Sequence, residues 1–110
     1  MYSAEAIGHI IFDKPIFHTE YLAIDNRLTA VGIGIDILSV DKFLITYDSS
    51  YGYGFDDDIQ SALNSISEIA EVRSGNMEFV GEDDTHWRFI YKDGKWRKER
   101  GEIVYYPCDS

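Results

Sequence analysis

The chain has 110 residues, 45% of them apolar and 15% aromatic, and a formal net charge of −10. That composition supplies the core of a single α+β domain spanning residues 1–110, and it excludes a disordered chain; with no run of about 18 apolar residues, it also excludes a membrane-spanning helix. Such acidity repels nucleic acid and anionic membranes and attracts basic proteins.

In chain order, residues 5–12 read as a first strand, nearly continuous in apolar and β-branched residues, as in a strand covered on both faces or central in a sheet. Asp13, Lys14 and Pro15 stop it. Residues 20–31 read as a helix, because Tyr21, Ile24, Leu28 and Val31 share one helical face. Thr19 is the expected N-cap and Gly32 the expected C-terminal glycine. A strand from Leu28 onward is the competing reading. Residues 33–38 and 42–48 form a hairpin about Ser39-Val40-Asp41, with Ile33, Ile35 and Ile37 facing one way and Phe43, Ile45 and Tyr47 alternating likewise. Gly32 and Gly34 leave a bare place there, through close packing or as a ligand gap.

Residues 49–55 form a glycine and aromatic loop. A second helix follows over 57–71, with Ile59, Leu63, Ile66, Ile69 and Ala70 as its apolar stripe. One of Asp56, Asp57 and Asp58 caps it, and Gly75 marks the exit. Met77–Val80 is a short strand. Trp87, Phe89 and Tyr91 then alternate with polar residues up to Asp93-Gly94, a two-residue turn that sets Lys92 opposite Lys95 and Tyr91 opposite Trp96. A further turn at Arg100-Gly101 leads into residues 102–106. The order β-α-β-β-α-β over residues 5–80 matches a ferredoxin-like core, here with a C-terminal β-hairpin extension, an antiparallel sheet and two helices on one face. That fold hosts many activities and selects none.

Charge is unevenly distributed. Residues 1–85 carry sixteen acids and four bases, whereas residues 86–110 carry six bases and four acids. The bases Arg88, Lys92, Lys95, Arg97, Lys98 and Arg100 either hold an anion or form the solvated, edge-guarding face of a hairpin. The cluster Asp56-Asp57-Asp58 lacks the ligand spacing of a calcium loop and reads as helix capping. Glu82-Asp83-Asp84-Thr85-His86 reads as a polar turn whose side chains are also metal-capable. His9, His18 and His86 are the acid–base candidates, His86 with Glu82 and Asp83 foremost. No nucleophile elbow, P-loop, dinucleotide fingerprint or zinc spacing occurs, so no catalytic residue, metal or cofactor is expected. The start of the chain lacks the basic segment of a signal peptide, and a cytoplasmic location is expected. The single Cys108 forms no internal disulfide, which fits a reducing compartment.

Function is expected to lie in binding rather than catalysis. Tyr51, Tyr53 and Phe55 either anchor a partner or fold back over the core, and they run directly into three aspartates. With Asp56, Asp57, Asp58, Glu82, Asp83 and Asp84 they form the expected contact surface for a basic, nucleic-acid-processing protein. Small acidic inhibitors, immunity proteins and DNA-mimicking anti-defence proteins share this composition. Direct nucleic-acid or membrane binding is not expected; a homodimer, through the sheet or hairpin, goes with the alternative reading. The alternative is a small-molecule-sensing regulatory module, with the gap at Gly32 and Gly34 and the aromatic hairpin lining its pocket.

Overall fold

The computed structural model describes residues 3–50 and 55–101, the side chain of Arg100 excepted. It contains strands β1 (Ser3–Phe12), β2 (Gly34–Ser39), β3 (Lys42–Ser50), β4 (Val72–Gly81), β5 (His86–Lys92) and β6 (Lys95–Gly101), and helices α1 (His18–Thr29) and α2 (Phe55–Ile66). The sheet order is β2-β3-β1-β4-β5-β6, with every neighbouring pair antiparallel. β1 lies between β3 and β4, so the connections β1-α1-β2 and β3-α2-β4 each pass over one strand. The class is α+β: one antiparallel six-stranded sheet with two helices, extended beyond β4 by the β5–β6 hairpin.

Alternation along β1 fixes the layers. Ala4, Ala6, Ile10 and Phe12 are buried with Ile24 and Leu28 of α1 and Ile59, Leu63 and Ile66 of α2. Ser3, Glu5 and Ile7 point the other way and are exposed. β1 is therefore central in the sheet, the second of the two expected placements, and among the described residues only one of its faces is covered. The other face of the sheet is left open by every described element.

The helix boundaries also differ from the sequence reading. α1 starts at His18, with Phe17 rather than Thr19 in the N-cap position; the Phe17 N–H donates to the Glu20 carboxylate at 2.9 Å. The long Glu20 side chain supplies from within the helix what a short cap residue would supply from outside it. Gly32 does close this helix, with φ of 87°, a conformation that favours glycine. α2 ends at Ile66, not at residue 71. From Ser67 to Ile69 the backbone N–H groups reach back three residues, as in Ile69 to Ile66 at 2.9 Å, so the apolar stripe continues through tightened turns. The three aspartates lie inside the first turn of α2, and the residue before Phe55 is outside the described range.

Gly75 is not a helix exit. It sits within β4, which runs from Val72 rather than from Met77. A Cβ there would lie 2.4 Å from the Trp96 ring. The glycine is room for an indole that is 0% exposed. Trp96 also meets Tyr91 edge-on at 5.9 Å, across the expected hairpin register. Its backbone N–H donates to Asn64 Oδ1 at 2.8 Å and its carbonyl accepts from Gln60 Nε2 at 3.1 Å. Two α2 side chains thus satisfy backbone groups of the outermost strand and blunt that edge against strand addition. Trp96→Ala is expected to cost about 3–5 kcal/mol, measured by urea denaturation. Trp96→Phe is expected to cost clearly less, because Nε1 is buried without a hydrogen-bond partner among the described residues.

Candidate functional site

The strand register gathers carboxylates from distant parts of the chain. β1 begins, and β3 and β4 end, at one end of the sheet: Ser3 pairs with Ser50, and Ala4 with Gly81. β5 starts and β6 finishes at the same end, where His86 pairs with Gly101. α2 begins there as well, since Asp58 lies against Ser49 and Ser50 around a shared cleft and Asp56 pairs with Lys98 of β6. Asp56, Asp57 and Asp58 on the helix and Glu82, Asp83 and Asp84 on the β4–β5 turn therefore share this end.

These six acids divide by their local duties. Asp56 is tied to Lys98. Glu82 accepts from the Ser3 N–H at 2.8 Å, clamping the start of β1 to the turn. Asp83 accepts from the Thr85 N–H at 3.1 Å, and Asp84 takes φ of 65° to close the turn, a conformation that Asp tolerates. The side chains of Asp57, Asp58 and Asp84 are exposed and take part in no hydrogen bond or ion pair among the described residues. They carry the outward charge. Phe55 is half-buried against the core, which fits the covering reading better than that of an exposed anchor. Tyr51 and Tyr53 lie outside the described residues.

No three His, Cys, Asp or Glu side chains converge as metal ligands would among the described residues. The histidines are dispersed. His18 opens α1 and stacks on Tyr21 at 6.4 Å. His9 lies at mid-sheet, where its backbone N–H donates to Asn76 Oδ1 at 3.2 Å. His86 sits opposite Val80, while its expected partners Glu82 and Asp83 are bound to backbone groups of their own.

Beside the acidic end lies a cleft of about 300 Å³ lined by Ala30 to Gly32, Tyr47, Ser49, Ser50, Phe55, Asp58 and Ile59. Gly32 lines it and meets the Tyr47 ring, where a Cβ would be 3.1 Å away. Gly34 does not line it and is set over Thr46, nor does the aromatic hairpin, whose Trp87, Phe89 and Trp96 are core residues. The Tyr47 hydroxyl donates to the Ser50 carbonyl. Burial pushes this phenol above its usual 10.0, against a smaller downward pull from the Ser49 side chain. Because the folded value is the higher one, the contribution is complete below pH 10.0 and is lost as pH rises through the folded value. The stability difference between wild type and Tyr47→Phe is therefore expected to shrink above that pH, in thermal melts across an alkaline series.

The sequence alone gives no reason to connect Glu5 with Asp48. The β1–β3 register sets them directly opposite each other, both exposed on the open face, a like-charge pairing that costs stability. Only the register of two strands forty residues apart could have revealed it. Of the basic residues, Arg88 binds Glu99 at 2.7 Å within the hairpin and Lys98 binds Asp56 of α2, so the hairpin's charge is partly neutralised.

No family model matches this sequence, and no curated protein matches it. Among solved structures the chain is similar to LarC2, the C-terminal domain of a cyclometallase involved in the synthesis of the NPN cofactor of lactate racemase, in its apo form. The identity is 8%, over 92% of this chain and 81% of that one, with a TM-score of 0.46. A likeness at that level bears on no function.

Proposed function

We propose that this chain is a small acidic interaction protein of the inhibitor or immunity type, which captures a basic, nucleic-acid-processing partner without catalysis of its own. The observation that carries the reading is the gathering of Asp57, Asp58 and Asp84 at one end of the sheet, exposed and without local counter-charge among the described residues. Carboxylates drawn from separate elements rather than converging on a point suit an extended cationic surface, such as a cleft built to hold phosphates. Steering by the net charge would speed encounter, and the anchored acids Asp56, Glu82 and Asp83 would hold the end in shape. The test is capture on the immobilised full chain from a lysate of the source cell, with elution by salt. Basic nucleic-acid-binding proteins released as salt rises are the expected result. Retained proteins that are not basic, or retention indifferent to salt, would contradict it.

A second reading, the small-molecule-sensing module, has one supporting observation in the cleft beside Tyr47, whose volume is near the lower limit of ligand pockets. A metabolite screen that raises the melting temperature would favour it over protein capture.

A further inference from the structure

The open face of the sheet is polarised. Toward the end where β1 begins, it carries Glu5, Asp48, Glu78 and Glu99, with Arg88 between the last two. Toward the opposite end it carries Lys42, Lys92, Lys95 and Arg97, with Asp36 as the acid among them. Apolar side chains are interspersed in both bands: Val80 shares its cross-strand row with Glu5, Ile7 with Glu78, Ile11 with Lys42 and Ile90 with Arg97. Ile7 is 58% and Val80 40% exposed, and Ile11, Leu44 and Ile90 are half-buried beside them. Large apolar side chains on a sheet face that no described element covers mark an interaction surface.

We infer that this face binds a second copy of the same chain, the two sheets packing face to face about a two-fold axis that runs across the strands. Two in-plane axes could bring the faces together. An axis along the strands sets the acidic band of one copy on the acidic band of the other. An axis across the strands sets each acidic band on the partner's basic band, and the charges select it. Both complementary halves are present on one surface, as an isologous contact requires.

In this arrangement Lys42 of one copy approaches Asp48 of the other, and Arg97 of one approaches Glu99 of the other, and the exposed apolar side chains of both faces are removed from water among these pairs. The cross-strand repulsion of Glu5 and Asp48, unexplained in a single chain, is then offset by the facing lysine. Six strands at about 4.8 Å spacing and about eight residues of length give a projected footprint on the order of 600 Å². That is close to the roughly 800 Å² per partner of a stable interface. The contact leaves the sheet's acidic end uncovered, so each dimer would display two capture surfaces. The inference stands independently of the proposed function.

Sedimentation equilibrium of the full chain, from micromolar to millimolar concentration, tests it. A dimer is expected. Lys42→Glu and Asp48→Lys are each expected to raise the dimer dissociation constant at least about tenfold, and the double reversal to restore it to within about threefold. Ile7→Lys, on an already exposed position, is expected to give a folded monomer by circular dichroism. A monomer throughout the concentration range would overturn the inference, whether because another segment covers the face or because nothing does. A dimer indifferent to both single reversals would overturn it too.

Discussion

Gly8→Ala is expected to destabilise the protein by about 3 kcal/mol or more, lowering the melting temperature by roughly 15 °C. Gly8 lies in the central strand, paired with Ile45 on one side and Met77 on the other. A Cβ at this position would fall 1.9 Å from the Asn76 carbonyl oxygen and 2.6 Å from the Met77 Cα. Both are backbone atoms of β4, so no side-chain rotation relieves the clash. The strands would have to part at the middle of the sheet, where the core is buried beneath them. Gly34→Ala is the matched control, since a Cβ there meets only the Thr46 hydroxyl, at 3.3 Å. A thermal melt of Gly8→Ala that overlays wild type would refute the close approach of β1 and β4.

Removing the outward charges is expected to have the largest effect on binding. Asp57→Asn, Asp58→Asn and Asp84→Asn together should weaken capture of a basic partner about 100-fold, with about tenfold of this in the association rate. An exposed ion pair is worth up to about 1 kcal/mol, and three lost together come to about 3 kcal/mol, or about 100-fold. Steering accounts for the rate component, which should fade as ionic strength rises and the Debye length contracts. The substitutions leave the fold in place, because Asn suits both a first helical turn and a left-handed turn position. Each aspartate lost from α2 forfeits only about 0.3–1 kcal/mol of dipole stabilisation. Stopped-flow association across a salt series is the measurement.

The legible parts of this molecule were those written locally. Asp93-Gly94 gave the β5–β6 register down to Tyr91 opposite Trp96, and alternation from Ile33 to Tyr47 gave the β2–β3 hairpin. The antiparallel α+β class followed from element order. What stayed hidden depended on partners far away in sequence. Gly75 resembles a helix stop until Trp96 is seen to occupy its missing side chain. Ile69 and Ala70 continue the helical stripe although the backbone has already tightened into turns. Phe17 has no capping group, and Glu20 acts in its place from within the first turn.

The same division holds for the candidate surface. The acidic runs 56–58 and 82–84 were visible as runs, but their shared location follows from where β3 and β4 end. Which acids face outward follows from bonds made by Ser3, Thr85 and Lys98. Glu5 opposite Asp48, and the opposed bands of the open face, exist only once the register is known.

The account rests on the position of the charge rather than its amount. Equal charge can be removed at either end of the sheet: Asp57, Asp58 and Asp84 at one, Asp36, Glu71 and Asp93 toward the other, each changed to its amide. The deciding measurement is the affinity of a captured basic partner for these two charge-matched variants at one fixed ionic strength. The account predicts a loss of about 100-fold for the first and less than about threefold for the second. Equal losses for both would mean that net charge alone attracts the partner, and would contradict it.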